Sequence, residues 1–324
     1  MTEKLLEWFE KNKRSLPWRE NRSPYRVWLS EMMLQQTQVK TVIPYFERWL
    51  KTFPKVKDVA HAPLDDILKA WEGLGYYRRA RNLHKAAQLV VSEKEGMFPT
   101  SYKGWLELPG VGPYAAAAIA SIVNNEGVVA VDGNVKRVAA RLFLLEQPEQ
   151  RNVQDKLTPF LPKTKPGAFN EALMELGATI CTRNPRCLLC PINAHCEAYA
   201  LGQVNAYPKP KPKRSVPHRK KYALISQREG KLWLRQRTED EMLNGLWGFV
   251  LVDKKPKGKA LPKVKHVYTH FSLEVTPVII SDQKELDKTT GTFVAKTELQ
   301  DLALSTLDRK IEEVLRHSLL LGTS

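Results

Sequence analysis

Apolar positions recur at helical spacing through about the first two hundred residues of the chain. Leu5, Trp8 and Phe9 form one such face, Val27, Leu29, Met32 and Met33 a second, and Leu83, Ala86, Ala87 and Val90 a third. Polar or Gly/Pro breaks separate them, as at Asn21-Arg22-Ser23-Pro24 and Gly73-Leu74-Gly75. Residues 207–221 then read YPKPKPKRSVPHRKK, where four prolines and seven Lys or Arg exclude a helix or a core and predict an extended basic linker. Beyond it the pattern shortens to strand length in YALISQR, KLWLRQR, WGFVLV and FSLEVTPVII, the last ending as a buried strand would. Two amphipathic helices, residues 299–304 and 306–320, are expected to close the chain. The expected division is a helical domain at 1–206, the linker at 207–221 and a smaller α+β domain at 222–324, without internal repeats.

Length and composition agree with this division. A chain of 324 residues with 43% hydrophobic residues can bury two cores. Its charge changes the picture: 51 Lys and Arg against 35 Asp and Glu leave a net charge of +16, which favours a polyanion such as nucleic acid. The opening MTEKLLEWFEKNKR lacks the apolar core of a signal peptide, and Glu3, Glu7 and Glu10 argue against a transit peptide. No apolar run approaches the length of a membrane span. A cytoplasmic protein is expected, associated with the nucleoid if bacterial.

All 4 cysteines lie between Cys181 and Cys196, as a ligand set would and a disulfide framework would not. Cys181, Cys187, Cys190 and Cys196 follow C-x5-C-x2-C-x5-C, with Pro185 and Pro191 beside ligands. Structural zinc, the alternative, is usually held by two close pairs, and only one close pair exists here. The spacing suits an iron–sulfur cubane with one thiolate per iron. Upstream, Leu108-Pro109-Gly110-Val111-Gly112 lies between helical stretches. Gly110 and Gly112 let main-chain N–H groups approach a ligand, and a helix starting near Tyr114 adds its positive end, making a phosphate cradle that reads no sequence. Ala115 to Ala118 would let the second helix pack closely on the first, a helix-hairpin-helix signature.

The LPGVG hairpin, Asp132 about twenty residues later in VDGNV, and the cysteine loop resemble the endonuclease III superfamily of DNA glycosylases. Within it, WLSEMMLQQTQV (residues 28–39), PWR (17–19), GLGYYRRARNL (73–83) and NEALMELGA (170–178) resemble the adenine DNA glycosylases of the MutY type. The similarity is dense over the first domain and thinner over the last hundred residues or so. It implies a multidomain fold: an all-α helix-hairpin-helix glycosylase domain with an iron–sulfur cluster loop, then a smaller α+β Nudix-like domain. It also implies one [4Fe–4S] cluster, and excision of adenine opposite 8-oxoguanine or guanine in double-stranded DNA by a monomer, leaving an abasic site.

On that resemblance Glu31 is the general acid that protonates adenine at N7, which requires a desolvated carboxyl. Asp132 is the carboxylate that stabilises the oxocarbenium centre, as in the carboxylate pairs of sugar hydrolases. Against these roles stand a solvated helix position for Glu31 and a helix-cap role for Asp132. Superfamily members that also cut the strand carry a lysine where this chain has Tyr114, which implies hydrolysis without a lyase step and a supporting role near Glu31. Arg19 and Glu171 match contacts to the flipped adenine. Gln36 and Tyr76 match residues that fill the stack, Asn134 belongs to the motif of Asp132, and Gly110 and Gly112 to the hairpin.

The sequence departs from the family twice. Five residues separate Cys181 from Cys187 where the family has six, and Tyr268-Thr269-His270 stands where the family reads oxidised guanine with Phe-Ser-His. No glutamate-rich Nudix hydrolase box occurs, so the last domain is expected to read and not to hydrolyse. The rivals are a glycosylase acting on thymine, uracil or damaged pyrimidines, and a non-catalytic DNA-binding module. The second domain and the Gln35-Gln36-Thr37-Gln38 context argue against the former, and the presence of Glu31 and Asp132 against the latter.

Overall fold

The computed structural model describes residues 1–210, 216–268, 270–281, 286 and 290–320. The chain divides into two compact units, Met1–His61 with Asn82–Pro212 and Ala62–Arg81 with Lys213–Ser324. Its helices run α1 (Thr2–Asn12), α2 (Pro17–Glu20), α3 (Pro24–Leu34), α4 (Val39–Thr52), α5 (Val56–His61), α6 (Leu64–Ala70) and α7 (Arg78–Glu93). They continue as α8 (Tyr102–Leu106), α9 (Pro113–Val123), α10 (Gly133–Leu142), α11 (Gln150–Leu157), α12 (Pro166–Thr179) and α13 (Glu197–Ala200).

The first unit is built around helices with little polar surface. In α3, Pro24 fills the first turn and the Ser23 hydroxyl accepts from the Arg26 N–H, which starts the helix. Trp28, Leu29, Met32 and Met33 are fully buried, so α3 lies inside the unit. Ala115 to Ala118 on α9 are buried as well, and small side chains there bring α9 close to its neighbours.

Helix α12 fixes the spacing of the unit. A Cβ on Gly167 would fall 2.6 Å from the Ser121 carbonyl oxygen of α9, and one on Gly177 would fall 2.6 Å from Asn134 Cβ of α10. Between these contacts, the buried Asn170 amide donates to Ser121 Oγ and the Val128 carbonyl at 2.9 Å and accepts from the Ala130 N–H at 3.0 Å. The segment it holds runs directly into Asp132. That aspartate caps α10, with Oδ1 accepting from the Val135 N–H at 2.7 Å.

The second unit carries two sheets. Strands β1 (His218–Ile225), β2 (Gln227–Arg228), β3 (Lys231–Gln236), β4 (Trp247–Gly248), β5 (Val250–Val252), β6 (Gly258–Ala260), β7 (Val264–Val267), β8 (Ser272–Ile280) and β9 (Thr292–Ala295) precede α14 (Thr306–Leu320). One sheet runs β5-β1-β8-β6 with β7 also on β8; the other runs β2-β3-β4 with β9 on β3. β1 and β8 pair in parallel and the remaining pairs are antiparallel. Its core holds a buried ion pair: Arg237 donates to both oxygens of Asp308 at 3.0 Å. A Cβ on Gly248 would fall 2.4 Å from that guanidinium, so glycine is required beside it.

Three expectations differ from this arrangement. Strand β1 begins at His218, inside the expected linker, because its backbone pairs with β8 from Ser272 onward and the basic side chains of Arg219 and Lys220 stay exposed. The helix expected at residues 299–304 is only a 3-10 turn, Glu298–Gln300, because Trp247 N–H bonds the Ala303 carbonyl and Leu304 bridges to Trp247 as a strand residue would. Residues 62–81 group with the second unit, where Arg309 pairs with Glu72 at 2.6 Å, Lys69 donates to the Leu302 carbonyl and Arg81 to that of Asn244.

The contact at Gly177 generates a prediction. Gly177→Ala should destabilise the protein by about 1–3 kcal/mol, the usual cost of overpacking a filled core. It should also disturb Asp132, because the residue displaced, Asn134, bonds to its carboxylate. Thermal unfolding checks this; an unchanged Tm would show that α10 and α12 separate freely.

Candidate active site

A cavity of about 630 Å³ opens in the first unit, lined by Arg19, Glu31, Gln36, Tyr114, Asp132, Asn134 and Glu171 together with residues not singled out from sequence. Glu31 comes from α3, whose neighbouring side chains are apolar and buried, and it is itself only 6% exposed. Burial pushes its carboxyl up to about 7, a hydrogen bond from Tyr114 pulls it back, and the negative charges of Asp132 and Glu171 push it up again. Glu31 Oε2 is buried without a hydrogen-bond partner. The carboxyl is therefore protonated in part near neutrality and has one oxygen uncommitted. Tyr114, in the first turn of α9, is raised well above the ordinary phenol range by burial and by the Glu31 charge, and its hydroxyl lies 3.6 Å from Met174 Sδ.

Asp132 is raised too, first by burial, against hydrogen bonds from Val135 and Asn134 that lower it. The cap role and the cavity position coexist. Oδ1 is occupied at the helix N-terminus while Oδ2 accepts from the Asn134 amide at 2.9 Å. Arg137 then donates to Asn134 Oδ1 at 2.8 Å, to the Gly177 carbonyl at 2.7 Å and to the Cys181 carbonyl at 2.8 Å. A continuous set of hydrogen bonds thus joins the first cysteine to the cavity carboxylate.

Arg19 and Glu171 meet directly, Nε to Oε1 at 3.0 Å. The cluster around them is larger than the sequence reading held. Arg19 also donates to Glu175 at 3.0 Å, Arg14 grips Glu175 through Nε at 2.6 Å and Nη2 at 3.0 Å, and Arg22 pairs with Glu171 at 2.9 Å. Burial alone would raise the Glu175 carboxyl, but Arg14 and Arg19 outweigh it and hold it below the ordinary range. Glu175, Arg14 and Arg22 were missed. Glu171 and Glu175 stand four apart on α12, which puts both on one helix face, and that spacing was the available signal. Lys136 also lines the cavity.

The hairpin glycines do different jobs. Gly110 has φ +80, and a Cβ there would meet Asn82 Cβ at 2.7 Å and Met32 Cε at 2.9 Å, so both its angle and its closeness require glycine. Gly112 caps α9 in extended backbone with open space around it, so neither its angle nor its surroundings require glycine. Gln36, with φ +56, lines the cavity, whereas Tyr76, with φ +48 and 44% exposed, belongs to the second unit. Tyr268 is packed into the second unit against Phe271 at 4.8 Å and His266 at 4.4 Å, and burial pushes its hydroxyl up to about 12. His270 is exposed, and Thr269 lies outside the described residues.

Cys181, Cys187, Cys190 and Cys196 all line one small cavity in the first unit. Among the described residues no group of three or more His, Cys, Asp or Glu side chains is gathered to hold a metal ion, although all four cysteines line this cavity. Burial pushes the Cys190 thiol up to about 11, and neighbouring cysteine charges add to this, as they do at Cys187 and Cys196. Such thiols are held together at a cost that a cationic core would offset. The soft, four-donor set fits an iron–sulfur group, and the shortened first spacing does not keep Cys181 from the cavity.

Comparison with known proteins agrees with both halves of the fold. Residues 29–163 match the HhH-GPD superfamily of base excision DNA repair proteins, and residues 221–313 match the NUDIX domain. An adenine DNA glycosylase of Buchnera aphidicola subsp. Schizaphis graminum is 31% identical over 338 residues, spanning 96% of this chain and 97% of the relative. The chain belongs to the adenine DNA glycosylase family. A second member of the adenine DNA glycosylase family, from Buchnera aphidicola subsp. Acyrthosiphon pisum, is 34% identical and aligns over 85% of each chain. Among solved structures, a thermostable thymine-DNA glycosylase superposes with a TM-score of 0.58 at 27% identity, covering 62% of this chain and 95% of that one. The HhH-GPD match takes in Glu31, Tyr114 and Asp132, and the NUDIX match takes in residues 268–270.

The raised Glu31 carboxyl sets the expected pH dependence. In the role of a general acid Glu31 must be protonated, and in that role base release should be full below about pH 7 and fall roughly tenfold per unit above it. A second, acid limb should appear where Asp132 loses its charge, the two apparent values belonging to the coupled pair. Glu31→Gln should lower the single-turnover rate by about 10²–10⁴ and remove the basic limb while mismatch binding persists. A near-normal rate in this variant would remove Glu31 from the role of acid.

Proposed function

We propose that the enzyme hydrolyses the N-glycosidic bond of adenine paired with 8-oxoguanine or guanine in double-stranded DNA, acts as a monomer in the cytoplasm, and leaves an abasic site. The observation that carries this reading is the pair of carboxyls, Glu31 and Asp132, on one cavity with Glu31 held near 7 by burial. Glu31 donates its proton to adenine N7 as the C1′–N9 bond breaks, and the bonding electrons leave with the neutral base. Asp132, ionised, faces the oxocarbenium centre that remains. Water adds to C1′ and its proton returns to the carboxylate pair, restoring the starting state. Arg19 and Glu171 bind the flipped base, their guanidinium and carboxylate offering donor and acceptor side by side.

Tyr114 stands where a lysine nucleophile would be needed for strand cleavage, and its buried phenol supports Glu31 instead. Gly110 and Gly112 bring backbone to a phosphate, Gln36 and Tyr76 fill the stack, and Asn134 holds Asp132. In the second unit, Tyr268, Thr269 and His270 read the oxidised base. Cys181, Cys187, Cys190 and Cys196 hold one [4Fe–4S] cluster, which when bound cross-links the loop after α12; the support is their shared cavity and the Arg137 bonds that run from Cys181 toward Asp132.

Duplexes containing adenine opposite 8-oxoguanine, guanine or thymine test the reading. Release of adenine is expected from the first two and not the third, with strand breaks only after hot alkali. Efficient borohydride trapping on DNA would overturn the hydrolytic mechanism. Replacing Thr269 and His270 together by alanine should reduce action opposite 8-oxoguanine by about five- to a hundredfold, the cost of one buried hydrogen bond, and act less on the guanine pair. An unchanged ratio of the two rates would leave the second unit without a reading role.

A further inference from the structure

The cysteine cavity has a cation built into its wall. Arg141, on α10, is 3% exposed, and among the described residues no carboxylate comes within ion-pair distance of it. Its partners are neutral carbonyls and one sulfur. Nη1 donates to Cys181 Sγ at 3.2 Å and to the Thr182 carbonyl at 2.7 Å, Nη2 to the Arg183 carbonyl at 3.3 Å, and Nε to the carbonyls of Val204 and Tyr207 at 2.9 and 3.1 Å. A guanidinium remains charged at any physiological pH, so its positive charge is buried permanently. Carbonyl dipoles solvate such a charge and do not neutralise it. The remaining candidate counter-charge is the cysteine cavity itself: four thiolates around an iron–sulfur core leave a net negative charge directly against Arg141.

We propose that Arg141 is the built-in counter-cation of the cysteine-held cluster, raising its reduction potential, slowing its loss, and making the order of the Val204–Ala206 turn and Tyr207 depend on its presence. This rests on the cluster reading above. The physical argument has two parts. A positive charge and an N–H donor at a ligating sulfur stabilise the more negative, reduced form of a cluster, which moves the potential upward. The same guanidinium bonds the chain at 204 and 207, so when the anion leaves, the cation gains by turning toward water and those bonds go with it.

The test uses the holoprotein, with Arg141→Met and Arg141→Lys. Iron and sulfide content of the wild type is measured first; absence of iron overturns the cluster reading and the Arg141 role together. With iron present, one-electron potentiometry should show Arg141→Met shifted downward, with the oxidised-to-reduced ratio changed about tenfold at fixed potential, equivalent to about 59 mV. Arg141→Lys, which keeps the charge and loses the fork, should shift less. Cluster loss to a chelator should be about tenfold faster in Arg141→Met. Should that variant fail to load, hydrogen exchange on the wild type before and after chelation still decides: backbone exchange at residues 204–207 should accelerate on iron removal beyond that of α9. Potentials equal in all three proteins, or exchange at 204–207 indifferent to iron, would overturn the role of Arg141 while leaving the cluster reading intact.

Discussion

The first unit depends on how closely α12 approaches its two neighbours. With glycine at 167 and 177, its backbone meets the Ser121 carbonyl on one side and Asn134 on the other at distances that admit no side chain. Asn170 uses both N–H donors and its carbonyl oxygen to tie residues 128–130 to Ser121 in the narrow space between. Those residues lead straight to Asp132, so the carboxylate is delivered by backbone and does not rely on the freedom of a long side chain. Glu171 and Glu175, from the same helix, are positioned by the same contacts. A single close-packed helix thereby sets the distance between Asp132 and the α12 glutamates of the same cavity.

Within the cavity, carboxyls of similar burial are driven in opposite directions. Glu31 is raised because its surroundings are apolar and its charged neighbours are mostly acidic. Glu175, equally withdrawn from water, is lowered because two arginines reach it with hydrogen bonds. Desolvation acts on both, and the arrival of a guanidinium decides the sign. The α12 glutamates take up Arg14, Arg19 and Arg22 in ion pairs. The Arg19 charge still lowers the Glu31 carboxyl, but burial and the charges of Asp132 and Glu171 outweigh it.

Much of this was legible in the sequence, for identifiable reasons. Helical periodicity marked α1, α3 and α7, and α14 runs over the predicted residues 306–320, because each buries an apolar face. The site carboxyls and cysteines could be picked out because chemistry demands those residue types at those spacings. What escaped was tertiary. Gln36 and Tyr76 take left-handed angles that glycine-based signals do not reveal. Glu175 looks like any surface glutamate until two arginines from distant sequence arrive. The short strands β6, β7 and β9 carry lysines or small residues and are strands only because β8 and β3 pair with them. The grouping of residues 62–81 with the second unit rests on contacts such as Arg309 with Glu72, more than two hundred positions apart.

Two deeply buried arginines, Arg237 and Arg141, differ in how their charge is answered. Arg237 lies in the core of the second unit and is answered there by Asp308, both oxygens engaged, with Gly248 vacating the space they need and the Phe249 N–H completing the carboxylate's bonding. Breaking such a pair costs about 3–5 kcal/mol, and nothing from outside is needed to maintain it. Its charge is closed within the fold. Arg141 is buried as deeply and bonded as fully, yet every acceptor it finds in the chain is neutral apart from a thiol that can become an anion. The two differ in where the counter-charge comes from: for Arg237 it is Asp308 within the chain, and for Arg141 we place it at the cysteine cavity.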